Sequence, residues 1–171
     1  MRFRFSVLDD ALIERVFQPV SNAMADRAGL ERHRAACLCA DAASIGWILS
    51  QVQCLSDSVL GWDVASAVPR LLLLMLGLAA LVGLRNLFLR APRGVANPLR
   101  LTMRPHRAVV LLMLVARMTQ PNAAGMTDFA DMAMLGFAAA GLYLGACTAR
   151  PPLRRAKARP RSAPLHRGAL S

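Results

Sequence analysis

The most strongly apolar stretch of the chain runs from Leu71 to Leu84 and continues past Arg85 and Asn86 to Leu89. As an α-helix these residues rise roughly 28 Å, close to the ~30 Å hydrocarbon core of a bilayer. The uncharged part alone would also suit a buried core helix, so the flanks decide. Arg70 stands at one end, and Arg85 lies about one turn inside the other, where a long stem can carry the charge to the headgroups. The pattern predicts a membrane helix over 68–89.

Three further apolar stretches follow the same logic with less margin. Residues 35–55 are long enough to span but contain Asp41, Gln51 and Gln53. The run from Ala108 to Met118 reaches spanning length only by continuing through TQPNAAG, which gives a helix over about 107–125. Residues 128–148 supply the return helix. Ahead of them all, Leu8, Leu12, Val16 and Val20, joined by Ile13, Phe17 and Met24, recur at helical spacing and make one apolar face. Ser6 reads as an N-cap, Asp9 and Asp10 complement the helix dipole, and Pro19 kinks or divides this helix. Asp10, Glu14, Arg15, Asn22, Asp26 and Arg27 occupy the other face. The apolar face is expected against the protein's own helices, with the bilayer surface as the alternative.

The predicted class is an all-α, polytopic helical membrane protein with about four transmembrane helices, three being the alternative if 35–55 does not span. An N-terminal amphipathic segment covers 1–34 and the transmembrane domain 35–148. A basic tail covers 149–171, predicted to be disordered because proline repeatedly removes backbone donors and little apolar surface is available to bury.

Charge supports the same layout. Net charge +11 coexists with 56% hydrophobic residues and a mean hydropathy of +0.40, which segregation across a membrane explains better than a single soluble domain does. Residues 35–63 carry three Asp and no base, whereas Arg85 to Arg107 holds six Arg and no acid, and the tail holds seven bases. By the positive-inside rule the 85–107 loop and the tail are cytoplasmic, as are both termini. Twenty of the twenty-one basic residues are Arg, and Ala and Leu dominate the apolar set, the signature of a GC-rich genome. The first residues lack a continuous apolar core and contain acids, so a cleaved signal peptide is not expected.

Candidate chemistry is sparse. Arg117 and Asp131 fall on neighbouring membrane helices and are expected to form an intramembrane ion pair; the alternatives are an interfacial Arg117 or a proton relay that includes Asp41. Ala42, Gly46 and Ser50 repeat every fourth residue, and Gly141 with Gly145 forms GxxxG, both patterns that let helix backbones approach closely in lipid. His33, Cys37, Cys39 and Asp41 are metal-ligand types at a spacing that fits no tetrahedral site, so no metal and no cofactor are expected, and the four cysteines read as free thiols. No GxSxG, HExxH or Gly-rich phosphate loop occurs, so no catalytic residue is assigned. The basic tail lacks aromatics for base stacking; anionic lipid headgroups, not nucleic acid, are its expected contacts.

These readings lead to a small bacterial inner-membrane protein that acts as a non-enzymatic accessory or interaction subunit. Its expected partners are the lipid bilayer and a membrane protein or a second copy of itself. The competing expectation is a transport or pore-forming, holin-like protein built by oligomerisation.

Overall fold

The computed structural model describes residues 5–61, 64–91, 97–119 and 126–148, and all the regular structure among them is helical. Helix α1 (Phe5–Leu12) passes through a π-helical turn (Ile13–Phe17) into α2 (Gln18–Ala28). Pro19 sits in the first turn of α2, where its missing N–H is tolerated, and the wider turn before it closes with Gln18 N–H donating to Ile13 O. Gly29 then adopts a left-handed conformation (φ 61°) that ends α2, a position where a Cβ would be strained.

The long elements are α3 (Arg32–Leu60), α4 (Val64–Arg90) and α7 (Met126–Ala146), with a single turn α5 (Leu99–Thr102) and the shorter α6 (Arg104–Met118) between the last two. Among the described residues three stretches are long and apolar enough to cross a membrane: Arg32–Ser56, Ala65–Arg90 and Thr127–Ala146. The segment weakened by Asp41 is therefore one of them. The helix that falls short is the third in sequence. α6 ends at Met118, where Thr119 N–H donates to Val115 O, and its 15 residues rise only about 22 Å. Its expected continuation through 120–125 lies outside the described residues, as does the basic tail.

α3 is the centre of the molecule, with α4 packed along one side and α7 along another, while α6 packs on α7. Close approach explains the tightest contact. A Cβ on Gly46 of α3 would stand 3.1 Å from Ala130 O and Met134 Cβ of α7, and a Cβ on Gly141 of α7 would stand 3.2 Å from Cys39 Cβ of α3. Phe88 of α4 occupies the space in front of Gly145, where an added Cβ would lie 2.6 Å from its ring. Gly46, Gly141 and Gly145 thus serve helix packing within this chain. Ser50 is buried, and Ala42 lines an apolar groove between α3 and α7.

The expected single apolar face of the N-terminal helix is divided. Ile13 is buried, and Phe17 and Met24 pack on the core, because they share a face with Asp9 and Ser21, which also point inward. Leu8, Val16 and Val20 remain exposed. What turns the helix is the anchoring of Asp9, an electrostatic contact that outweighs the apolar pattern.

Candidate functional site

Four helix ends meet at one end of the molecule: the start of α3, the close of α4, the start of α6 and the close of α7. The N-terminal helix is tied across them by ions. Arg107, at the base of α6, donates from Nε to Asp9 Oδ1 at 2.9 Å and from Nη2 to Asp9 Oδ2 at 2.6 Å, with both side chains fully buried. The same guanidinium donates to Arg100 O at 2.7 Å and Leu99 O at 3.4 Å, and its carbon lies 5.6 Å from the centre of the Tyr143 ring. Phe17 stacks on that ring at 4.7 Å, so the fork is enclosed by aromatic surface as well as by hydrogen bonds.

Around this fork the charges alternate. Arg104 reaches Asp9 Oδ2 at 3.3 Å and Asp10 Oδ2 at 2.9 Å, and Arg100 reaches Asp10 Oδ1 at 3.1 Å and Glu14 Oε1 at 2.7 Å. Three acids of the N-terminal helix meet three arginines of α5 and α6. Burial pushes the Asp9 carboxyl up, but the Arg107 hydrogen bond and charge, with Arg104 behind them, more than reverse this and hold it below its ordinary 3.8. The Glu14 hydrogen bond raises Arg100 further above its ordinary range. Such a network fixes geometry, and with both Asp9 oxygens engaged it presents no free base.

The adjacent end of α7 is capped by three separate segments. Asn97 Nδ2 donates to Gly145 O at 2.7 Å and to Cys147 O at 2.9 Å, and Arg32 also donates to Cys147 O. Gln18 pairs with Thr148 through both amide atoms, donating to its carbonyl at 3.1 Å and accepting from its N–H at 3.0 Å. Helix-end carbonyls without intrahelical partners are thereby satisfied, and the Arg32 charge faces the negative end of the helix dipole.

Three further ion pairs lie along the helices. Arg117 Nη2 is 3.3 Å from Asp131 Oδ2, and it also pairs with Asp128, so the expected partner is joined by a second carboxylate one turn away. Asp41 of α3 pairs with Arg85 of α4, Nε to Oδ1 at 2.9 Å. Nearby, the Cys37 thiol points at Arg85 O at 3.9 Å, and Cys39 packs on Gly141, so these residues spread along the helix contacts. Among the described residues no three His, Cys, Asp or Glu side chains converge, and all four cysteines are free.

Sequence reasoning missed the base network and the Asp41–Arg85 pair, although a signal for the first exists. Arg100, Arg104 and Arg107 are spaced four and three apart, and Asp10 and Glu14 four apart, so each set shares one helical face. Loop orientation accounts for the arginines and the helix dipole for the acids, and each reading by itself hides the match between them. No protein-family model, curated protein or solved structure matches this chain, so its function is read from its own residues.

Proposed function

We propose that the chain is an integral protein of a bacterial inner membrane that acts as a non-enzymatic accessory or interaction subunit. The observation that carries this reading is the position of α4. The most apolar part of that helix has no buried residue, and it packs mainly on α3, leaving a tall apolar face without cover from the other described residues. Water solvates such a face poorly, whereas lipid tails or another helix solvate it well.

In this reading α3, α4, α6 and α7 cross in turn, with local bilayer thinning accommodating the short α6. The base network lies at the cytoplasmic surface, supported by its arginines and by the basic tail that follows α7. Anionic lipid headgroups contact the basic segments there. Reporter fusions at Asp26, Asp63, Asn97, Asn122 and Ser171 test it: in, out, in, out, in is the expected order. Asp26 outside with Asn97 inside would remove the crossing by α3.

One observation favours the transport or pore-forming alternative: the Asp41–Arg85 pair lies part-way along two membrane-length helices. That reading predicts leaky vesicles on reconstitution, and loss of the leak on neutralising Asp41, Arg85, Arg117 or Asp131. Tight vesicles carrying the folded protein would exclude it.

A further inference from the structure

Among the described ion pairs, Asp41–Arg85 is the one in which both side chains stay more than 40% exposed. Its contact runs from Nε to Oδ1 at 2.9 Å, and its side chains are 43% and 47% exposed. Both groups therefore keep much of their polar surface open beyond that contact. Asp41 lies nine residues beyond Arg32, about 14 Å along α3, and its short side chain cannot reach the headgroups. The Arg85 stem is turned toward Asp41 and away from the nearer helix end. Half-exposed donors and acceptors at that depth are costly in hydrocarbon, so something polar covers them.

The surface around the pair has a pattern of its own. Leu38, Asp41, Ile45, Ile48 and Val52 follow one another at intervals of three and four residues along α3, the spacing of a seam between two helices packed side by side. None of the four apolar members is buried; Leu38 and Ile45 are more than half exposed. The seam continues into the groove between α3 and α7, about 320 Å³ in volume, floored by Gly46, Ala130 and Ala133 and walled by Phe129 and Phe137.

We propose that this seam is a two-fold interface between two copies of this chain, centred on Asp41 and Arg85. The inference rests on the membrane reading given above. An axis along the membrane normal sets both pairs at one depth. Each Arg85 then donates from its terminal nitrogens to Asp41 of the other copy, closing a ring of alternating charges. Charge complementarity selects a second copy, because the pair carries one donor set and one acceptor in an arrangement that matches itself after rotation.

A test in trans separates this ring from a purely internal pair. One chain carries Arg85→Asp and so presents two acids; a second carries Asp41→Arg and presents two bases. Fluorescently labelled copies are reconstituted in phosphatidylcholine–phosphatidylglycerol vesicles, and energy transfer is followed as lipid dilutes the protein. The wild type should self-associate, each variant alone should lose self-association by about tenfold or more, and an equal mixture should recover it as a mixed pair. Full self-association of either variant, or no recovery on mixing, would overturn the proposal. If the single variants fail to insert, the chain carrying both substitutions retains an internal pair, and it should dimerise like the wild type; a monomeric double variant overturns the proposal. A wild type that stays monomeric at every dilution also overturns it while leaving the membrane reading intact, which the reporter map tests separately.

Discussion

Asp9–Arg107 and Asp41–Arg85 are both carboxylate–guanidinium pairs between helices, yet they are finished to different degrees. The first uses both carboxylate oxygens, adds two backbone carbonyls and an aromatic face, and is sealed from solvent. The second is joined from Nε to Oδ1 and leaves both side chains nearly half exposed. A completed fork is a structural joint: it sets how the N-terminal helix lies across the base. An open one in the same chain is where the proposed two-fold interface is centred. The chain thus locks one end internally and leaves its central helix with an unfilled seam.

The largest loss is expected at the Asp9–Arg107 joint. Arg107→Met leaves buried Asp9 with only the longer Arg104 contact as counter-charge and should cost about 3 kcal/mol in unfolding of the detergent-solubilised protein. Adding Asp9→Leu should restore much of that loss, since an apolar pair of similar volume avoids the desolvation penalty. A net gain from Arg107→Met alone would contradict the assignment.

Overpacking gives the next effect. Gly145→Val pushes into the Phe88 ring and should cost about 1–3 kcal/mol in the same assay. Gly136→Ala, with open space in front of it, should change stability by less than about 0.5 kcal/mol. Equal losses at the two glycines would argue against close packing of α3, α4 and α7.

A smaller effect is expected at Arg117. A double-mutant cycle with Arg117→Ala and Asp131→Ala should yield a coupling of about 0.5–1 kcal/mol, reduced because Asp128 shares the guanidinium. Strict additivity would remove the contact with Asp131. Adding Asp128→Ala to the background should raise the coupling.

Acid should produce the most gradual change. Asp9 titrates below its ordinary 3.8 in the folded protein, so its contribution is complete above that pH. It is lost as pH falls through the lower, folded value. Protease nicking within 5–20 should stay constant from neutrality to about pH 4 and rise below it, whereas an Asp9→Asn variant should be nicked at every pH.

Much of the helical layout was legible because a long apolar run beside Arg-rich, acid-free loops is hard to place anywhere but in a bilayer. Leu71 to Leu89 reads as a membrane helix from its apolar run taken together with Arg70 and Arg85 at its flanks. α3 was harder, since Asp41 counts against a span until Arg85 is seen beside it, and that neighbour lies on another helix. The Arg117–Asp131 contact could be anticipated because a hairpin sets the register of its two helices. The base network joins residues about ninety positions apart, beyond the reach of any local pattern. The glycine stripes identified close packing but not the partner: Gly46 and Gly141 face the same interface from opposite sides, which the sequence leaves equally compatible with contact to another chain.

The difference between a joint and a shared surface is tested most directly by neutralising one acid in each. Self-association in vesicles is measured across a lipid-dilution series for Asp9→Asn and Asp41→Asn. Asp41→Asn should shift the midpoint toward higher protein density by about tenfold while Asp9→Asn leaves it within about twofold of the wild type. An unchanged midpoint for Asp41→Asn, or an equal shift for both, would contradict the account.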